Sequence, residues 1–191
     1  FLDPLYRGGF PADVLDFARA RGVDTGVRPG DAEAIARTKP TFLGVNYYAP
    51  GFHRHDPAAT GFYEVADAPP PGTDMAFNGP NRPDQFAALQ DTIRTEYGNP
   101  PVHVTENGAG FPDDDVLRDG AVEDLRRCGY VAGHVAAMRD AMRRGADVRG
   151  YFLWSSHDNL EWLSGYERRF GMIHVDFRTQ LRTPKRSAHA Y

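Results

Sequence analysis

The chain has 191 residues, 41% of them hydrophobic, enough apolar side chain for one packed domain. Its 22 basic and 26 acidic residues leave a net charge of −4, which argues against a nucleic-acid footprint, and no apolar run reaches the length of a membrane span. The one cysteine, Cys128, rules out an internal disulfide, so nothing demands an oxidising compartment and a cytoplasmic location is expected.

The chain opens Phe1-Leu2-Asp3-Pro4-Leu5, without a charged-then-apolar signal segment. Residues 1 to 10 read as a loop entering a helix, with Pro11 at a first-turn position. Val14, Leu15, Phe17 and Ala18 give that helix its apolar face up to Gly22. Asp31 is placed to cap a short helix through Arg37. Thr41 to Tyr48, bounded by Pro40 and Pro50, is short, apolar and aromatic, as a buried parallel strand should be. Residues 49 to 83 have no clear period and read as a long loop, with a hairpin around Gly61 to Val65. His53, His55 and Asp56 fall there; no further ligand set is spaced to complete a metal site, and a solvated loop is the commoner reading.

Phe86, Leu89, Ile93 and Tyr97 follow helical spacing up to Gly98. Val102-His103-Val104-Thr105-Glu106 alternates behind two prolines and reads as a second strand, with Asn107-Gly108 turning the chain away. Asp113-Asp114-Asp115 reads as a solvated turn more readily than as a cation site. Leu125, Cys128, Val131, Val135, Met138 and Met142 mark a long amphipathic helix, with Cys128 a core or boundary residue and His134 at the boundary. Val148 to Ser155 is a third buried strand, Phe170 to Asp176 a short strand or extended loop, and Ser187 a cap for a last helical turn. Helices alternating with strands imply parallel strands joined by right-handed crossovers.

Each of the three strands ends in groups suited to a sugar: Asn46 and Tyr48 after the first, Glu106 on the second, Trp154 on the third with Glu161 and Trp162 in the following loop. Carbohydrates need acceptors for vicinal hydroxyls and flat apolar faces for the C–H side of the ring. Taken singly, Glu106 is an ordinary solvated strand-end carboxylate and either tryptophan a core aromatic; their clustering at successive strand ends shifts that balance.

The ordered set Phe42-Leu43-Gly44-Val45-Asn46-Tyr47-Tyr48, Val104-Thr105-Glu106-Asn107-Gly108, Gly150-Tyr151-Phe152-Leu153-Trp154-Ser155, Asp158-Asn159-Leu160-Glu161-Trp162, Gly165-Tyr166, Arg168-Arg169-Phe170-Gly171 and Thr183-Pro184-Lys185-Arg186-Ser187 resembles glycoside hydrolase family 1, the β-glucosidase and β-galactosidase group. The resemblance runs from near residue 1 to residue 191 and implies an α/β fold, the carboxyl-terminal part, about three βα units, of a (β/α)8 TIM barrel. It implies retaining hydrolysis by two carboxyls roughly 5–5.5 Å apart. Glu106 becomes the nucleophile and Tyr48 its hydrogen-bond partner. Asn46 lies beside the 2-hydroxyl, Trp154 forms the platform under the ring, Glu161 and Trp162 hold the far hydroxyls, and Phe170 lines the pocket. The Glu161–Trp162 pair implies an unphosphorylated glycone, because members acting on 6-phosphorylated sugars usually replace it. No metal or organic cofactor is implied. The expected partners are a small saccharide or aryl or alkyl β-glycoside, and the amino-terminal remainder of the same barrel.

The family's acid/base glutamate sits in an Asn-Glu-Pro segment that this chain lacks, and a full barrel needs about 250 residues. The chain is therefore expected to be one partial barrel domain, residues 1–191, stable only beside the missing amino-terminal part. Residues 74 to 80 also depart from the Gly-Trp-Glu type of segment common there, which leaves leaving-group preference open. A binding or scaffold protein that kept the sugar platform is the alternative to a hydrolase, and transglycosylation would use the same residues.

Overall fold

The computed structural model describes residues 2–38, 40–59, 64–113 and 115–191. In chain order it runs α1 (Leu2–Tyr6), α2 (Ala12–Ala20), α3 (Asp31–Ala36), β1 (Leu43–Asn46), β2 (His53–His55), β3 (Glu64–Ala66), β4 (Met75–Ala76), β5 (Gly79–Pro80), α4 (Pro83–Glu96), β6 (Val102–Asn107), α5 (Leu125–Arg143), β7 (Val148–Leu153), a 3-10 turn (Trp162–Ser164), β8 (Ile173–Val175), β9 (Arg182–Pro184) and α6 (Arg186–Ala190). The centre is a three-stranded parallel sheet of order β1-β6-β7, so β6 is flanked on both sides and its carboxyl end lies between the ends of the other two.

The strands are parallel because α4 carries the chain back from β1 to β6 and α5 from β6 to β7. Alternation along β6 sends Val102 and Val104 to one face, where they meet Tyr47, Phe86, Ile93, Ala141, Ala146 and Val148 in the core. Burial of each valine contributes about 2 kcal/mol. The opposite face holds Phe42 and Phe152, both more than half exposed, with Phe42 edge-on to His103 at 5.2 Å between ring centroids. A second cluster, Ala76, Ala109, Phe111, Tyr130 and Val131, lies above the first at the strand ends.

Several elements differ from the sequence expectation. Residues 2–6 are helical, held by Arg7, which pairs with Asp3 at 3.2 Å and with Glu96 at 2.6 Å. Gly30 precedes α3, and Asp31 is its first residue, accepting from the Arg28 amide at 2.8 Å. The stretch 49–83 contains two antiparallel pairs, β2–β3 and β4–β5; the expected hairpin turn at 61–63 falls outside the described residues, but Glu64 and Val65 do pair, with His55 and Arg54. His53 and His55 are exposed on β2, and no metal-binding group of side chains occurs among the described residues.

The helix α5 is rotated relative to the apolar stripe read from its sequence. It buries Arg127, Tyr130, Val131, His134 and Ala141, while Leu125 and Met142 are exposed. Polar side chains face inward here because partners meet them there, Arg127 and the Tyr130 hydroxyl in full and His134 through Nδ1, which offsets much of the desolvation penalty that would otherwise turn the helix over. His134, expected at the boundary, is fully buried: it stacks on Tyr130 at 3.9 Å and its Nδ1 meets the Tyr130 carbonyl. Cys128 is half-buried, as expected.

Asp115, expected in a solvated turn, is buried between Arg127 at 2.5 Å and Lys185 at 2.6 Å. Ser187 does not cap α6; it lies within the helix, and both its N–H and its hydroxyl donate to Asp124 across 63 residues.

Candidate active site

The site forms where the three parallel strands end. β6 carries Glu106 as its penultimate residue, and the register slips on both sides of it, between Val45 and Asn46 and between Val104 and Asn107. Asn46 is the Cα partner of Glu106. Its Oδ1 accepts from Thr105 at 2.6 Å, which leaves the amide NH2 as a donor beside the carboxylate.

Tyr48 lies two residues beyond the end of β1 and donates its hydroxyl to Glu106 Oε2 at 2.5 Å. Burial, the bond to Glu106 and the charges of Glu106 and Glu161 all push the phenol well above its ordinary pKa. Tyr48 thus stays protonated, and the carboxylate stays the acceptor. Glu161 lies within electrostatic reach of the same hydroxyl. Phe170 packs edge-on against Tyr48 at 6.2 Å and against Phe77 at 6.3 Å, and closes that side.

Asn107, expected to start a turn, is the last strand residue and a junction between elements. Its Nδ2 donates to the Tyr47 carbonyl at 2.8 Å and to the Tyr130 hydroxyl at 3.0 Å. The Tyr151 hydroxyl donates to its Oδ1 at 2.6 Å, and the Trp154 N–H to its backbone carbonyl at 2.8 Å. Gly108 follows because the Trp154 carbonyl occupies the space where any Cβ would stand. Trp154 is half-buried just past β7, with a cis peptide to Ser155.

The loop after β7 is closed at its neck. Ser155 N–H donates to Phe170 O, Met172 N–H to Ser155 O, and Asp158 N–H to Ile173 O, all within 3.1 Å. Asp158 carboxylate oxygens accept from Gly171 and Val175 N–H, Arg169 and Lys185. Beyond this neck, Glu161 begins a tight 3-10 turn in which Trp162 has φ of +43° and is 87% exposed. Of the residues singled out in sequence, Glu106, Tyr48, Asn46, Glu161 and Phe170 converge, and Trp154 adjoins Gly108. Trp162 projects into solvent.

Behind the site lies a buried ion network missed in the sequence. Asp115, Asp124 and Asp158 face Arg127, Arg169 and Lys185, three charges of each sign. Arg127 is nearly fully buried, donating to Asp115, Asp124 and the carbonyls of Ala109 and Arg169. Burial opposes ionisation of Asp115, but Arg127 and then Lys185 outweigh it and hold the carboxyl below its ordinary range. His174 is shifted downward, by burial first and by Arg169 second, and so stays neutral beside a balanced set. The network joins the loop after β6, the start of α5, the loop after β7 and the start of α6. The resemblance motifs around Asp158, Arg169 and Lys185 mark these residues without revealing that they meet.

The family description "Glycosyl hydrolase family 1" matches residues 1–191. Among known proteins, Beta-glucosidase A of Enterobacter agglomerans is 56% identical over 191 residues, covering 100% of this chain and 40% of that protein. Beta-glucosidase A of Thermotoga maritima is 37% identical over all of this chain and 42% of its own length. In three dimensions, the GH1 beta-glucosidase of Exiguobacterium antarcticum B7 superposes with a TM-score of 0.87 at 37% identity, over 98% of this chain and 41% of that one. The chain thus spans about two fifths of the length of these relatives. Its parallel α/β sheet is part of their barrel, and the chain belongs to glycosyl hydrolase family 1.

Proposed function

We propose that this chain supplies the nucleophile and part of the glycone pocket of a retaining β-glycosidase acting on terminal, unphosphorylated β-D-glycosides. Glu106 attacks the anomeric carbon. A second glutamate, from polypeptide outside residues 1–191, protonates the leaving oxygen and then activates water. The carrying observation is the 2.5 Å bond from Tyr48 to Glu106 at the carboxyl end of the central parallel strand, where barrel enzymes hold catalytic groups. This bond keeps one carboxylate oxygen fixed and leaves the other to attack. Glu161 and the Asn46 amide supply polar contacts for the sugar's hydroxyls, Trp154 and Trp162 its apolar faces, and Phe170 the wall.

Residues 1–191 form one partial domain, completed by the strands that the relatives carry in the rest of their length. The half-exposed Phe42 and Phe152 on the uncovered sheet face support this, since such a face is covered in a closed barrel. The reading is tested by treating the complete enzyme with a 2-fluoro β-glycoside and mapping the label by peptide mass spectrometry. A modified Glu106 supports it; label on another residue rejects it.

Residues 1–191 contain no Asn-Glu-Pro, which favours one second reading: a sugar-binding scaffold without hydrolysis. A non-acidic residue at the acid/base position of the complete polypeptide, with sugar binding and no turnover, would establish that reading instead.

A further inference from the structure

Tyr48 lies outside any strand, so the sheet ladder alone does not explain why its hydroxyl points at Glu106. The ladder ends with the Tyr47 N–H donating to the Glu106 carbonyl at 2.9 Å. Beyond that, the backbone carbonyls of Tyr47 and Tyr48 are both held by side chains. Asn107 Nδ2 donates to the Tyr47 carbonyl at 2.8 Å, and the Tyr130 hydroxyl to the Tyr48 carbonyl at 2.7 Å.

The hydrogens of this group allow one arrangement. The Tyr130 hydroxyl has one proton, spent on the Tyr48 carbonyl, so it accepts from Asn107 at 3.0 Å. Both Asn107 N–H bonds are then used, and its Oδ1 accepts from Tyr151 at 2.6 Å. Flipping the amide would set its oxygen against the Tyr47 carbonyl, with two acceptors and no proton between them. Asn107 and Tyr130 are sealed from solvent, and the Tyr130 ring is clamped against His134. In such a setting every bond has one donor and one acceptor, and removing one leaves a buried group unpaired.

We infer that Tyr130, Asn107 and Tyr151 are positioning residues for Tyr48, fixing the backbone from which its hydroxyl reaches the nucleophile. The inference rests on the proposed role of Glu106 and deepens it. None of the three touches the reacting atoms; they act through two carbonyls and one phenol. Tyr130 also carries the constraint from the sheet to α5, so the geometry at Glu106 depends on a helix on the far side of the strands.

The test uses the complete enzyme and compares Tyr48→Phe, Tyr130→Phe and the double variant. Tyr130→Phe keeps the ring on His134 and removes only the hydroxyl. It is expected to lower kcat about tenfold, with KM within about twofold and an unchanged circular dichroism spectrum. The rate of 2-fluoro glycoside trapping should fall in parallel. The double variant should be no slower than Tyr48→Phe alone, because Tyr130 acts only through Tyr48. Tyr151→Phe should act in the same direction, more weakly. Losses that multiply in the double variant, or a Tyr130→Phe enzyme of full kcat beside an impaired Tyr48→Phe, would overturn the positioning role. Label appearing on a residue other than Glu106 would instead overturn the reading beneath it.

Discussion

Glu106 and Glu161 both raise the pKa of Tyr48 but are held very differently. Glu106 sits on the middle strand of the sheet, between two flanking strands, with Asn107 tied to β1, α5 and β7 immediately after it. Glu161 stands beyond the neck of a loop, beside an indole that is 87% exposed, and is fixed locally by a single tight turn. Buried polar bonds concentrate at the end of β6 and at the base of the loop, and few lie at the tip. A nucleophile must stay within a fraction of an ångström of its target, whereas groups that recognise hydroxyls can settle when the sugar arrives.

Substitution at the two carboxylates breaks the comparison most sharply. In the complete enzyme, Glu106→Gln should cost on the order of 10⁴-fold or more in kcat, since no covalent intermediate can form. Glu161→Gln should act mainly on kcat/KM, by about 10²-fold, as loss of a charged hydrogen bond to substrate. Equal losses at both positions, measured by steady-state kinetics, would remove the distinction.

The neck of the loop is tested through stability. Asp158→Asn leaves Lys185 and Arg169 facing one carboxylate fewer in a buried setting, and should destabilise the complete protein by about 3–5 kcal/mol in urea unfolding. Adding Lys185→Met restores charge balance and should recover part of that loss.

Acidity probes the support under Glu106. Burial lowers the His134 pKa from 6.5 to about 4, so the folded state keeps the ring neutral where the unfolded chain takes up a proton. Its contribution to stability is full above pH 6.5 and is lost as pH falls toward 4, a change of about 3 kcal/mol. His134→Leu should flatten that part of the stability–pH curve relative to the parent, measured as urea midpoints between pH 7 and 4.

The smallest effect on folding is expected at the loop tip. Trp162→Ala should change stability by less than about 0.5 kcal/mol, because the indole buries little, while KM rises for substrates that stack on it. A large loss of stability would mean that the tip is anchored as firmly as the strand end.

Three short apolar runs were enough to find β1, β6 and β7: β6 by its alternation behind two prolines, β1 by its aromatic run between Pro40 and Pro50, and β7 by its aromatic content. The helices α4 and α5 were equally legible in extent, but the inward side of α5 was not. Arg127 and His134 look like surface residues until their partners, up to 42 residues away for Arg127 and 87 for His134, are brought beside them. Asp115 is hidden in the same way by its acidic neighbours in sequence, though Lys185 meets it from 70 residues downstream. Glu106, Tyr48 and Asn46 were readable as strand-end groups, whereas the junction role of Asn107 was masked by its ordinary use in turns.

The contact between Gly108 and the Trp154 carbonyl has an evolutionary corollary. Two loops at the carboxyl ends of β6 and β7 are spliced backbone to backbone at that point, with no side chain between them to shrink or enlarge. New substrate preferences in this scaffold are therefore reached by exchanging residues farther out along each loop. Insertions next to the seam would shift the end of β6, with Glu106, along with Trp154.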